Sequence, residues 1–487
     1  MQSWFFAQDF ARPEHWNQSF LLRTPALDHE RLTAALRALV ERHDAFRLRY
    51  RDTAGTAPVQ QYDPAAPFPG VHALDVRTLP GTEGSPEFTD ALHRTLTDWQ
   101  RGFDLTHGPV CALGHLHGYA DGSSRVFFAL HHLITDTVSW RILADDLRAL
   151  HDGRELGAKG TSFRQWSRAV AEYAEARPEQ RAYWEELLAD FRPDEPERAP
   201  DGPARAEEFT LDEQHTRDLL GAAHHAYHTR IDDLLLTALG RALETVDGGR
   251  THHVLLEGHG REDIGAALDV SGTMGWFTTL YPVRLPLADD LGTSLCAVKE
   301  SLRAVPDRGL GFGPLVGYRD RPLPRIWFNY LGQLDGERSG DDDWRLVMED
   351  AGEAVPADNA SGALVSVFAY VTEGRLHLRV DSRLDADTTR TLARSLEAAL
   401  VEIIGHCTAR TAVRYTPSDF REVTGEADLT ALPPGIGADP AGWFDMTEIQ
   451  KAYLVGRLGN YEIGNVANHV YTSTYTASWT PAGWRSR

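Results

Sequence analysis

SRVFFALHHLITDTVSWRILADDLRAL, residues 124–150, decides how the rest of the chain is read. Arg125 to Leu130 is a short apolar run rich in aromatics, which predicts a buried strand. His131 and His132 stand at its end. Ser139 then offers a helix N-cap, and Trp140, Ile142, Leu143, Leu147 and Leu150 recur at helical spacing. The histidines therefore sit on a strand-to-helix loop, where a side chain can face a cleft from a rigid backbone. Successive strand-end side chains point in opposite directions, so one histidine faces the cleft and the other packs inside. Asp136 is placed to brace the loop by pairing with a buried donor. The plainer alternative is a histidine pair and an aspartate that merely satisfy a core turn.

The whole chain narrows the function classes. At 487 residues it has ample apolar content for about two or three compact units. A net charge of −22 argues against nucleic acid, whose phosphates need a dominant basic face. Cys111, Cys296 and Cys407 are far apart and form no CxxC pair, which suits a reducing compartment rather than a disulfide framework. There is neither a long apolar run nor a signal-peptide pattern, so a soluble, cytoplasmic, non-membrane protein is expected. The histidine pairs His115/His117, His224/His225 and His252/His253 lack zinc-type spacing with an acidic partner, and no metal site is expected.

Periodicity lays out the elements. A strand is predicted over His15–Thr24, then a helix capped by Asp28 with Leu32, Leu36, Leu39 and Val40 on one face. The arginine-rich end of that region offers Arg42 or Arg47 as a partner for Asp136, with a solvated arginine as the alternative. Residues 54–85 read as loops around short strands, and Ala91–Gln100 as a helix. Thr161–Ala176 reads as an amphipathic helix, followed by one carrying Tyr183, Trp184, Leu187 and Leu188. Residues 189–206 are charged, proline-rich and aperiodic, and mark a linker between a first lobe at 1–188 and a second at 207–420. The second lobe is expected to open with a helix from Asp212 to about His225 and an apolar one from Ile231 to Val246. Strands follow at His253–Leu256, Leu280–Leu285 and Ile326–Tyr330, the last ending in a Leu331-Gly332-Gln333 turn. A helix at Thr293–Ala304 lies between them. A hairpin at 363–381 and a last helix from Ala386 to about Cys407 complete the lobe.

The spacing HHxxxDxxSW resembles the condensation-domain superfamily of nonribosomal peptide synthetases. There the second histidine is the functional one, here His132, while His131, Asp136, Ser139 and Trp140 hold structural places in the motif. The commoner form has glycine after the aspartate; this chain has Thr137. Three further stretches, LLEGHGRED at 255–263, MGWFTTLYPV at 274–283 and IWFNYLGQLD at 326–335, together resemble an epimerization domain. The resemblance covers roughly residues 2 to 420, and QSWFFAQDF directly after Met1 resembles the interior of a family opening, as in a piece of a longer polypeptide.

Each stretch also has a physical reading. Glu257 follows an apolar strand and precedes Gly258 and Gly260, a partly desolvated place that raises a carboxyl pKa toward neutrality and suits acid–base work; the alternative is an ion pair with Arg261. Gly275 allows close backbone approach, and Trp276 and Phe277 either wall a tunnel or pack in the core. Asn329 and Tyr330 offer an amide and a phenol for a thioester or enolate oxygen; a core tyrosine is the alternative for Tyr330.

The resemblance implies an α/β fold of two chloramphenicol-acetyltransferase-like lobes forming a V around a central tunnel, with His132 from one lobe and Glu257 from the other. It implies a cofactor-independent isomerase that epimerises the Cα of an aminoacyl or peptidyl thioester. The 4'-phosphopantetheine would be supplied by an upstream peptidyl carrier protein, and the isolated domain would be monomeric. Residues 421–442 read as a linker, and 443–487 resemble the start of a following condensation-type domain, or else an extension that docks on the second lobe. Two alternatives remain: amide-bond condensation between two carriers, which would not require the Glu257 stretch, and an inert recruitment domain of the same fold, a class that tends to lose the second histidine.

Overall fold

The computed structural model describes residues 1–53, 56–192, 205–265, 267–319, 322–333, 344–359 and 362–420. Residues 1–416 form one compact unit; 417–487 form a second, of which 417–420 are described, with a short 3-10 turn at Pro417–Asp419. The expected linker at 421–442 and the expected partial domain at 443–487 lie outside the described residues.

The first unit contains two mixed α/β layers. The first sheet has the order β11-β1-β6-β5-β4, formed by β1 (Asn17–Thr24), β4 (His72–Asp75), β5 (Cys111–His117), β6 (Ser124–His131) and β11 (Arg345–Val347). A separate ribbon pairs β2 (Leu48–Thr53) with β3 (Thr56–Tyr62). Helices α1 (Gln2–Phe5), α2 (His29–Arg42), α3 (Pro86–Gln100), α4 (Thr137–His151), α5 (Phe163–Glu175) and α6 (Gln180–Leu187) belong to this half of the sequence. The second sheet has the order β7-β13-β12-β10-β8-β9. Its strands are β7 (Arg205–Thr210), β8 (Thr251–Gly258), β9 (Thr279–Pro286), β10 (Ile326–Gln333), β12 (Val365–Thr372) and β13 (Arg375–Ser382). Helices α7 (Glu213–Leu220), α8 (Ile231–Asp247), α9 (Leu291–Arg303), α10 (Phe312–Val316) and α11 (Ala386–Thr408) go with it.

β6 is central and buried along its whole length, which is why it reads as a continuous apolar run. Its alternation divides two cores: Val126, Phe128 and Leu130 face one, Phe127 and Ala129 the other. β12 and β13 bury Val365, Val367, Ala369 and Val371 with Leu376, Leu378 and Val380, against Leu392, Leu396 and Leu400 of α11. The core on the His132 side of the first sheet also takes in Leu255, Met274, Trp276 and Leu280, so the halves share apolar packing.

Several expectations are corrected. Ser139 is not the N-cap of α4: Asp136 is, its carboxylate accepting from Ser139 N at 2.8 Å, which places Ser139 inside the first turn. The second half opens with strand β7, whose Arg205 and Ala206 fall within the stretch read as linker. The helix expected from Asp212 to His225 stops at Leu220, where Gly221 adopts φ −134°, ψ −88°. Leu331-Gly332-Gln333 is not a turn; β10 runs through it, with an irregularity between Tyr330 and Gln333 that accommodates Gly332 at φ +79°. Finally, β11 leaves the second half of the sequence to pair antiparallel with β1, so residues 207–420 are not a self-contained lobe.

Candidate active site

At the end of β6 the alternation separates the two histidines. His131 is fully buried, its Nε2 donating to Pro13 O at 2.8 Å and its Nδ1 accepting from Leu133 N, and burial pushes its pKa down to about 3. The ring of His132 points the other way. Its Nε2 lies 2.9 Å from the Gln18 amide nitrogen, and the Trp276 ring covers it with centroids 4.4 Å apart. Burial holds its pKa near 4, against the opposing pull of backbone hydrogen bonding and of the Asp136 charge.

Asp136 ties the histidine loop to the 259–277 segment. Its carboxylate accepts from Ser139 N and Oγ, from Phe277 N at 3.1 Å, and from Arg261 Nη2 at 3.1 and 3.2 Å. The expected partner is thereby corrected: Arg42 donates to Ala158 O and Arg47 to Asp44, while Arg261 crosses from the other half of the fold. Arg261 also donates to Val270 O and Thr273 O and lies 3.8 Å over the Phe277 ring. Gly260 makes this route possible: at φ +63°, a Cβ there would fall 1.7 Å from Phe277 O. Ser139 Oγ accepts from Gly275 N at 3.2 Å while its own proton goes to Asp136 at 2.7 Å. A Cβ on Gly275 would meet Phe163 at 2.7 Å. Thr137 is the first residue of α4 in helical geometry, so this position demands no glycine.

Glu257 is placed by register. β8 and β10 pair in parallel with Leu256 beside Phe328, which sets Asn329 next to Glu257, and Asn329 Nδ2 donates to Glu257 Oε2 at 2.8 Å. Among the described residues no cation pairs with Glu257, because Arg261 is committed to Asp136. Burial alone lifts its pKa to about 7. Glu257 lines a cavity of about 180 Å³ together with Asp136, Thr137, Arg141, Thr278, Asn329 and Tyr330 among others. The Tyr330 hydroxyl has its pKa raised to about 12 by burial and by the Asp232 charge. Arg141 on the rim donates to Gln333 O. A second cavity of about 550 Å³ is lined by Trp276, Phe277, Phe163 and Trp166 and shares Thr278 with the first. Gly275 lines neither, since it is a packing and backbone-bonding residue. His132 lines neither as well, lying behind Trp276.

The Glu257 environment has a stability signature. Below pH 4.5 the carboxyl is protonated whether folded or not; between 4.5 and about 7 only the unfolded chain ionises; above 7 the folded state carries a poorly solvated carboxylate. Glu257→Gln should therefore stabilise the fold above pH 7, by up to about 3 kcal/mol, and hardly at all below pH 4.5. Melting curves at pH 4.5 and 8 check this; equal shifts at both would mean the site is well solvated.

Residues 1–423 match the family model described as Condensation domain. The chain belongs to the condensation-domain family. This condensation-family chain is 41% identical over 455 residues to an N-(5-amino-5-carboxypentanoyl)-L-cysteinyl-D-valine synthase of Amycolatopsis lactamdurans, a match covering 90% of the chain and 12% of the relative. It is 32% identical to surfactin synthase subunit 1 of Bacillus subtilis (strain 168), over 88% of the chain and 12% of the relative. It thus spans about an eighth of the length of these curated relatives. Among solved structures it resembles the epimerization domain from the third module of tyrocidine synthetase B, with TM-score 0.73, 31% identity, and coverage of 83% of this chain and 95% of that one. The first condensation domain of the CDA synthetase shares the fold at TM-score 0.61 and 18% identity, over 81% of this chain and 92% of that one. The two-sheet α/β architecture is that of the condensation and epimerization domains.

Sequence reasoning missed two residues of this site. Gln18 is a polar residue in a strand pattern, and only its neighbours Trp140 and His132 give it meaning. Arg261 was visible in LLEGHGRED, but as a neighbour of Glu257 rather than the partner of a residue 125 positions away.

Proposed function

We propose that this chain epimerises the α-carbon of an aminoacyl or peptidyl thioester presented on the 4'-phosphopantetheine arm of an upstream peptidyl carrier protein. The observation that carries the reading is Glu257, a half-buried carboxyl whose pKa desolvation lifts to about 7, held by Asn329 with no ion pair among the described residues, in a cavity bordered by the histidine loop. Amide-bond condensation gives such a group no task. The 41% identical relative is named for a product containing D-valine, which supports the same reading. We read the arm as the carrier's, with no resident cofactor required, and the setting as a cytoplasmic assembly line in which a condensation-type domain follows.

A thioester acidifies its α-hydrogen because the carbanion delocalises onto the carbonyl oxygen. Inversion requires removal of the proton on one face and delivery on the other. Glu257 and His132 come from the two sheets and supply two such groups. With their pKa values near 7 and 4, the pair holds one proton between those limits, and it rests on Glu257. On this reading neutral His132 is the base, reached by the substrate only once Trp276 and Gln18 move off the ring, and the Glu257 carboxylic acid is the donor; the reverse direction uses the swapped arrangement. We read Tyr330, and the Asn329 amide hydrogen not given to Glu257, as donors to the developing enolate oxygen, a contribution of about 3–4 kcal/mol where such donors have been removed elsewhere.

Both directions draw on the same one-proton state, so kcat/KM for the L- and D-thioesters should fall together, about tenfold per pH unit, as pH rises through about 7. A flat profile from pH 6 to 9 would remove Glu257 as the donor. The reaction class is tested by offering two loaded carriers: altered configuration with no amide product supports epimerization, and amide formation with both configurations retained means condensation.

A further inference from the structure

We propose that Gln18 is the positioning residue that fixes the tautomer of His132, holding the imidazole lone pair on Nε2 and its proton on Nδ1. Three side chains from three elements, Trp140, Gln18 and His132, form one hydrogen-bonded chain. Trp140 of α4, stacked on Phe20 with centroids 4.9 Å apart, donates its indole N–H to Gln18 Oε1 at 2.9 Å. An indole nitrogen is a donor only, so the oxygen end of the Gln18 amide must face it. The amide nitrogen, also a donor only, is left facing His132 Nε2 at 2.9 Å. That nitrogen must then accept, and the proton of the neutral ring resides on Nδ1. Turning the amide over would set donor against donor at Trp140 and lose that bond.

This arrangement has a chemical consequence. A proton on Nε2 would confront the Gln18 N–H, so the imidazolium forms only if Gln18 moves away. The Nε2 lone pair is thereby occupied, and His132 can take a proton in the proposed reaction only when Gln18 releases it. The titratable groups that face His132 are Asp136 on its own loop, tied to Arg261, and His131 behind it; α4 brings Trp140, β1 brings Gln18, the residue before β1 is Trp16, and the 259–277 segment brings Trp276, none of them charged. The meaning for catalysis rests on the proposed epimerization; the tautomer does not.

The test is nitrogen NMR on the full chain with ¹⁵N-labelled histidine, which separates the tautomers and follows the His132 titration. The wild type should show neutral His132 protonated on Nδ1 between pH 5 and 8. Gln18→Glu replaces the donor with a carboxylate that accepts from Nε2–H, and should raise the His132 midpoint by about 1–3 pH units. Trp140→Phe keeps the stacking but frees the amide, and should mix the tautomers. A wild-type ring protonated on Nε2 overturns the proposal, as does a folded Gln18→Glu protein whose midpoint does not move. If that variant does not fold, the wild-type spectrum still decides. Should the tautomer be as stated while no carrier-bound thioester is epimerised, the functional reading fails and the role of Gln18 stands.

Discussion

Glu257→Gln should abolish interconversion of carrier-bound L- and D-thioesters in both directions, lowering the rate by about 10²–10⁴-fold, the usual contribution of a positioned acid or base. Glutamine retains the size of the side chain and an oxygen to accept from Asn329, whose 2.8 Å bond fixes Glu257. It cannot give or take a proton. Inversion needs a proton moved on each face, so losing one group stops both directions. Exchange of the α-hydrogen with solvent on the His132 face, with configuration retained, is the residual activity expected. Chiral separation of residues released from the carrier reads the first effect, and mass spectrometry in heavy water reads the second. Interconversion at the wild-type rate would mean that another residue supplies the second proton transfer.

Asp136→Ala should be the most destabilising single change in the site, at about 3–5 kcal/mol. Its side chain is 6% exposed and its carboxylate accepts from Ser139, Phe277 N and Arg261. Its loss uncaps α4 and leaves the Arg261 guanidinium buried without a counter-ion. The Asp136→Ala/Arg261→Met double variant should recover part of the stability, because the stranded charge is gone. Denaturant melts of the two variants measure the difference. A fully stable Asp136→Ala protein with lost activity would make Asp136 a chemical participant rather than a brace.

The elements of the fold were largely legible in the sequence because they repeat. The continuous apolar run of β6, the α11 stripe at Leu392, Leu396 and Leu400, and the β12–β13 hairpin follow from period and turn residues alone. The exceptions have physical causes. Asp136 outcompetes Ser139 as cap because its carboxylate reaches Ser139 N, a contest that composition does not settle. β11 is three residues long and takes its identity from pairing with β1, more than 300 positions away. In the site, Glu257, His132 and Asp136 stood out through their local setting, whereas the Asp136–Arg261 bridge and the Trp140–Gln18–His132 chain exist only once distant segments meet.

The central claim is that the α-hydrogen of a carrier-bound thioester is removed on one face and replaced on the other, by groups that include Glu257 and His132. It is tested most directly by incubating the wild-type chain in heavy water with a carrier loaded with one L-aminoacyl thioester, then resolving configuration and isotope content together. The account predicts D-product carrying one deuterium at Cα from the earliest time points. Residues that stay L and keep α-hydrogen throughout, from a protein that joins them to a second carrier's amine, would contradict it.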